Sequence, residues 1–460
     1  MASRVNRRSF LSSTVGGAAG LVVLRDARSA RGAEANAKLH TAHVGVGGRG
    51  RELLLTMSRM ETPVAFADVN ESKAAEMFKQ FPDVPRFQDF RRMLDERGKE
   101  IDAVVVATPD HTHAVASACA LRAGKPVYTE KPLTRLVFES RALRELARKH
   151  QVATSMGNQG TASGQFRRGI ELIRNGTLGA IQEVHVWNCG GGANHPEPPK
   201  DEAKVPPYLN WDLWLGPCAA RPFHPRWLWW GSWRDFGTNQ LGNWGSHSAN
   251  LAFMALRVHE LWLAEPPRQP RPLLRIEAKV SNFNPLSFPK WEMVRYEVPA
   301  RGDLPPVVIT WHNGRDVGTR DLLEKLAGIE LDWGDKGDKK WKHHGGAVIV
   351  GSRGRLRATE HNTTIALVPD EAFKGVKTDR PETLDASAGH ERDWLNAIRG
   401  GKPAWANFDY ASALNEFLQL GNVATQFEGK LEYDPIDMKI VNHAEADKAL
   451  RCEYREGWTL

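Results

Sequence analysis

Thr41-Ala42-His43-Val44-Gly45-Val46-Gly47-Gly48-Arg49-Gly50 decides how the rest of this chain is read. An apolar strand over His43 to Val46 runs into a glycine turn, and Leu53, Leu54 and Met57 then recur at helical spacing. Gly45, Gly47 and Gly50 stand at GxGxxG spacing, with Gly48 and Arg49 between them. Glycines permit a tight turn and close backbone approach, so free N–H groups at the helix start can meet a pyrophosphate. The spacing alone is common; a strand before it and a helix after it are what the chemistry requires.

Downstream, the pattern of short strand and helix repeats. A second strand, Val64 to Val69, carries Asp68 eighteen residues after Gly50, where a carboxylate accepts hydrogen bonds from an adenosine ribose. It repels a 2′-phosphate, which favours NAD over NADP. Ile101 to Thr108 is apolar apart from Asp102, as a parallel strand buried on both faces should be, and Pro109 stops it. A helix over His111 to Arg122 closes at Gly124, and Pro126 to Thr129 then delivers Glu130-Lys131-Pro132. His111 and His113 stand two apart with no third ligand nearby, so no metal is assigned.

A chain of 460 residues, 41% hydrophobic and 25% charged, reads as two globular domains. Of the net charge of +7, +4 falls before Ala35, where six arginines face only Asp26 and Glu34. The remaining body is nearly neutral and has no basic stripe interleaved with aromatics, which argues against nucleic acid as a partner. The start itself reads as a removable twin-arginine export signal over 1–37. Arg7-Arg8-Ser9-Phe10-Leu11 precedes an apolar run from Ser12 to Leu24, shorter than the ~20 residues of a permanent span. Ala33-Glu34-Ala35 and Ala35-Asn36-Ala37 both offer small-x-small cleavage. The expected partner is the twin-arginine machinery, and the mature protein is expected in the periplasm or cell envelope with no membrane span. Cys119, Cys189, Cys218 and Cys452 show no regular spacing and are expected to pack rather than pair.

Four segments together resemble the glucose-fructose oxidoreductase, inositol dehydrogenase and rhizopine-catabolism (Gfo/Idh/MocA) family. They are Gly45 to Gly50, Asp68, Ala107-Thr108-Pro109-Asp110-His111-Thr112-His113, and Gly124-Lys125-Pro126-Val127-Tyr128-Thr129-Glu130-Lys131-Pro132-Leu133. Trp211 to Pro217, Asp235 to Thr238 and Tyr454 to Trp458 look like its exported bacterial members. The resemblance implies an α/β protein: a doubly wound parallel Rossmann sheet over 38–160, then an α/β domain over 161–460 with a large open, mostly antiparallel sheet. It places Gly45, Gly47, Gly48, Arg49, Gly50, Asp68, Thr108, Pro109, His113, Glu130 and Lys131 at the cofactor. In the family the matching lysine contacts nicotinamide and the substrate hydroxyl, and an Asp and a His four residues apart form the catalytic pair. Here His247 holds the His position, but Asn243 stands where the Asp is expected.

Asn cannot stabilise an imidazolium by charge. Three accounts stay open: His247 is the base with weaker support, Lys131 moves the proton, or dehydrogenation is reduced. Asn250, on the face of an expected helix over Gly245 to Leu256, and Trp233 and His224 in the aromatic stretch are further candidates for substrate contact. Three strands are expected over Leu274 to Asn282, Trp291 to Val298 and Pro306 to Trp311, and a hairpin over Gly346 to Ala358. The stretch Asp332 to Gly346 reads as an exposed loop. A helix over Tyr410 to Glu428, capped by Asp409, is expected to pack back on the first domain.

Export constrains the reaction, because nicotinamide cofactors are not supplied outside the cytoplasm. The expectation is an oxidoreductase with tightly held NAD acting on a secondary hydroxyl of a carbohydrate, as a homo-oligomer. A redox-neutral lyase, epimerase or glycosidase using transient oxidation is one alternative. A non-catalytic sugar-binding protein on the same scaffold is the other.

Overall fold

A computed structural model describes residues 37–263, 271–335 and 341–460. Apart from residue 37, the segment read as an export signal lies outside the described residues. Six parallel strands form the first sheet: β1 (His40–Val44), β2 (Thr62–Ala67), β3 (Arg86–Phe87), β4 (Ala103–Val106), β5 (Val127–Thr129) and β6 (Thr154–Met156). Their spatial order is β3-β2-β1-β4-β5-β6. The order reverses between β1 and β4, and such a reversal opens a crevice at the carboxyl ends of the strands. All four residues of β4 are buried, in keeping with its unbroken apolar sequence.

The second sheet has nine strands in the order β13-β12-β11-β7-β10-β9-β8-β14-β15. In chain order they are β7 (Ile181–Asn188), β8 (Leu274–Val280), β9 (Glu292–Val298), β10 (Val307–Asn313), β11 (Gly345–Gly351), β12 (Gly354–Thr359), β13 (Ile365–Val368), β14 (Lys430–Asp434) and β15 (Lys439–Ile440). Only β7 and β10 pair in parallel. Residues of β9 alternate between buried and half-buried, so this part of the sheet has one core face and one outer face. The outer face carries charged cross-strand pairs, among them Lys430 with Glu297 and Arg275 with Glu432.

The helix Phe408–Ala424 is buried along almost its whole length and joins the two sheets. Its cap is Asn407, whose side chain accepts from the backbone N–H groups of Asp409 and Tyr410; Asp409 instead lies in the first turn and pairs with Arg148 at 2.5 Å. Arg141 from the helix Val137–His150 makes two 2.9 Å hydrogen bonds to Glu416, a carboxylate that also accepts from Trp262 and Tyr433. The stretch expected as an exposed loop from Asp332 departs from that reading. Trp333 and Trp341 at its two ends are buried and pack with Trp187 of β7 and Leu323, because two indoles cover apolar sheet surface there. No described helix is long and apolar enough to cross a membrane.

Candidate active site

A cavity of about 350 Å³ lies at the carboxyl ends of β1, β2 and β4, lined by Gly45, Gly47, Gly48, Arg49, Asp68, Thr108 and Pro109. Gly45 has φ +82°, and a Cβ there would lie 2.6 Å from the Ala107 carbonyl oxygen. Gly48, φ +51°, begins the helix Arg49–Ser58 without a side-chain cap and with open space beside it. Its uncapped N–H groups fit a dinucleotide pyrophosphate. Asp68 follows β2 directly and accepts from the backbone N–H groups of Val46 and Asn70, each at 2.9 Å. Burial pushes its carboxyl above the usual range against those donors. Trp214, Leu228, Trp230 and Trp458 line the cavity from across the cleft. Trp458 is itself clamped, its ring under the Arg91 guanidinium at 4.2 Å.

β5 ends in Glu130-Lys131-Pro132. Glu130, almost wholly buried, pairs with Arg49 and accepts from Gln159, both at 3.1 Å. Lys131 Nζ donates to Asn243 Oδ1 from the helix Asn239–Asn243, a contact that ties the two domains together across the cleft. Burial lowers the Lys131 pKa, while Glu130 and Asp110 oppose that shift. Asp110, which the sequence reading passed over, is buried and accepts from Thr238 Oγ1 at 2.7 Å; burial pushes its carboxyl up to about 7.

His247 is in the next helical turn, Gly245–Ser248, and is 3% exposed. Burial first, then Lys131 and His361, push its pKa well below the ordinary histidine range, so the ring is neutral. Its Nδ1 has no hydrogen-bond partner among the described residues, and the Asn243 amide oxygen accepts from Lys131. Beside it stands a residue the sequence reading missed: the His361 ring, centred 4.6 Å from that of His247 and 5.2 Å from Trp244. Glu360 Oε1 lies 3.8 Å from Nδ1 of both His361 and His343. Asn362 fixes this loop by accepting from Leu251 N–H and donating to the Ser248 carbonyl.

Four residues expected at the cofactor or substrate are held by internal contacts. His113 is enclosed, its two ring nitrogens 2.7 and 2.8 Å from the carbonyls of Pro132 and Thr108, so it braces the loops around the cleft instead of facing cofactor. Asn250 is buried and accepts from the Tyr410 hydroxyl at 2.6 Å, which uses the amide internally. Trp233 is 2% exposed, stacks on His195 and donates to the Arg226 carbonyl. His224 caps the turn Pro225–Leu228 by accepting from Arg226 N–H. Aromatic packing accounts for Trp233, and turn capping for His224. Among the described residues no group of three His, Cys, Asp or Glu could hold a metal.

Comparison with known proteins bears on this cleft. Residues 39–158 match the GFO_IDH_MocA family profile, described as an oxidoreductase family with an NAD-binding Rossmann fold. A levoglucosan dehydrogenase of Pseudarthrobacter phenanthrenivorans is 29% identical over 115 residues, 25% of this chain and 29% of that protein. Inositol 2-dehydrogenase 1 of Saccharopolyspora erythraea is 40% identical over 116 residues, 23% of this chain and 32% of that protein. These matches thus span about a third of each relative. A solved levoglucosan dehydrogenase in complex with NADH and L-sorbose aligns over 86% of this chain and 99% of its own, with TM-score 0.56 at 16% identity. An inositol dehydrogenase homologue from Azotobacter vinelandii, complexed with NADH and myo-inositol, gives 0.54 at 18% identity over 86% and 98%. At those identities the likeness is one of fold.

Proposed function

Because residues 39–158 match the profile of the Gfo/Idh/MocA oxidoreductases with their NAD-binding Rossmann fold, we propose that the protein oxidises a secondary hydroxyl of a sugar or sugar derivative with tightly held NAD. The observation that carries this reading is the meeting of Lys131, Asn243 and His247 at the carboxyl end of β5, beside the glycine-lined cavity. The nicotinamide supplies the hydride acceptor when bound. Glycine turn, Arg49 and Asp68 hold the dinucleotide, and the Asp68 carboxylate disfavours a 2′-phosphate. Neutral His247 takes the hydroxyl proton; burial keeps the ring in the unprotonated form a base requires, while the same burial and the nearby Lys131 charge weaken it as an acceptor. Lys131 donates to the oxygen on which negative charge develops, and Asn243 aims its ammonium.

Trp214, Trp230 and Trp458 in the cavity wall offer aromatic surface to a nucleotide, which supports its retention between turnovers. A resident nucleotide must be reoxidised in place, by a second carbohydrate or by return of the hydride to the first. The second course is a redox-neutral lyase, epimerase or glycosidase reaction. The proposal includes export by the twin-arginine route to the periplasm or cell envelope, on the Arg7-Arg8 segment, and a homo-oligomeric state. Replacing both arginines by lysine and fractionating cells tests the export, and light scattering tests the oligomer.

The deciding experiment is to denature the purified mature protein and quantify released nicotinamide nucleotide. Sugars are then added to the intact protein while its redox state is followed. Stoichiometric NAD that sugars reduce supports the reading. A protein without nucleotide and without affinity for added NAD or NADP would refute it and leave a sugar-binding scaffold.

A further inference from the structure

His361 stands beside His247, ring centres 4.6 Å apart, and has no part in the steps given to Lys131, Asn243 and His247. The two imidazoles differ in depth. His247 is 3% exposed, whereas the side chain of His361 is 42% exposed, so one ring is enclosed and its neighbour meets solvent.

The fold fixes this pair from both flanks. Ser248, in the same helical turn as His247, donates from Oγ to the Glu360 carbonyl at 2.9 Å, and Asn362 donates back to the Ser248 carbonyl. Asn158 donates to the Ser246 carbonyl at 2.8 Å, which ties that turn to the loop after β6. In that loop Gly160 approaches the His361 carbonyl oxygen so closely that a Cβ there would lie 2.2 Å from it. Two rings carried on backbone held in this way are already positioned before any proton moves.

Charge grades the two rings. Glu360 commits neither carboxylate oxygen to a hydrogen bond among the described residues: Oε1 lies 3.8 Å from Nδ1 of both His361 and His343, and Oε2 is buried without a partner. Burial lowers the His361 pKa, Glu360 opposes that shift, and Lys131, His343 and Arg49 add to it. Around His247 burial is joined by Lys131, His361, His390 and Arg49, all of which disfavour a charged ring. The outer ring therefore holds a proton more readily than the inner one.

We propose that His361 relays to solvent the proton that His247 takes from the substrate hydroxyl. This rests on the oxidoreductase reading for the origin of the proton, but the route itself operates without substrate. The hydroxyl O–H bond breaks and an N–H bond forms on His247, while the hydride leaves the carbon that bears the oxygen for the nicotinamide. The proton then passes from His247 to His361, directly or across one water, and from His361 to bulk water, the final acceptor. His361 touches no reacting atom and acts through His247 alone. A base buried as deeply as His247 is weak, and passing its proton to a more basic neighbour draws the transfer forward.

The test uses the mature protein with its nucleotide, isotope-labelled at histidine nitrogen, in dilute buffer at neutral pH. Exchange of the His247 ring N–H with water is read by nuclear magnetic resonance. His361→Phe keeps an aromatic ring beside Trp244 but no nitrogen, and His361→Ala leaves space that free imidazole can enter. The expected result is exchange slower by about tenfold or more in both variants, restored by added imidazole in His361→Ala and not in His361→Phe. A ring that serves only as packing would show none of this, because Phe supplies the packing. Exchange as fast as in the wild type in His361→Phe, or slowing in His361→Ala that imidazole leaves untouched, would overturn the relay. Methyl glycosides of gluco, galacto and manno configuration are then added while absorbance follows the bound nucleotide. If none reduces it although His247 exchange depends on His361, the proton route stands and the dehydrogenase reading falls.

Discussion

Replacing Asn243 by Asp restores a carboxylate where the family has one, and the structure sets what should follow. The Asn243 oxygen is hydrogen-bonded to Lys131 Nζ, so the new charge would sit about 3 Å from an ammonium. At an effective dielectric of about 20, Coulomb attraction at that distance is about 5 kcal/mol. Desolvating the carboxylate returns several kcal/mol of it. A net gain of about 1–3 kcal/mol for the charged lysine corresponds to a rise of about 1–2 pKa units. His247 would rise too, because an anion one helical turn away favours the imidazolium. The assay is the pH dependence of nucleotide reduction by sugar in single turnover. The wild-type profile should be flat on the acid side, where His247 stays neutral, and should fall on the alkaline side as Lys131 loses its proton. In Asn243→Asp the alkaline limb should move to higher pH, and an acid limb should appear where His247 begins to protonate. If Lys131 were instead the base, charging it more firmly would depress the rate at neutral pH, with no new acid limb from His247. That outcome, or an unmoved profile, would refute the roles given to the two residues.

Three further outcomes follow from buried groups. Asp110 has a carboxyl raised from 3.8 to about 7, so between those pH values the folded state keeps a proton that the unfolded chain releases, and stability falls as pH rises. The loss is about 4 kcal/mol over that window, and Asp110→Asn should flatten the urea midpoint between pH 4 and 7. Asn250→Ala strands the Tyr410 hydroxyl and should cost about 1–3 kcal/mol in chemical denaturation without changing sugar preference, whereas altered preference would return it to the site. Trp458→Ala removes an aromatic wall of the nucleotide cavity and should weaken retention about three- to tenfold, read as NAD remaining after exhaustive dialysis. Unchanged retention would place the enclosure elsewhere.

The cofactor side of the cleft was legible because its signal is local. A strand, a glycine turn and a helix lie within about twenty residues, and Asp68 and Lys131 stand at strand ends that the same alternation predicts. Lys131 and His247 were found from motif positions, but what Asn243 does was not, because its partner lies 112 residues away in sequence. His361 was invisible for the same reason: it reaches His247 only because Asn362 pins the β12–β13 loop onto Leu251 and Ser248. Trp233 and His224 looked like sugar contacts because the sequence around them is rich in tryptophan. Composition cannot tell an aromatic face that meets solvent from one that meets His195.

The walls of the nucleotide cavity come from Val44 at one extreme and Trp458 at the other. The site therefore does not exist until the chain through Trp458 has been made and both sheets have folded against each other. Any nucleotide bound there stabilises only the fully assembled state, and by mass action a hundredfold excess over its dissociation constant adds about 2.7 kcal/mol to it. Occupancy thus becomes a certificate of completed folding. On the proposed export route, loading the cofactor and finishing the fold would be one event.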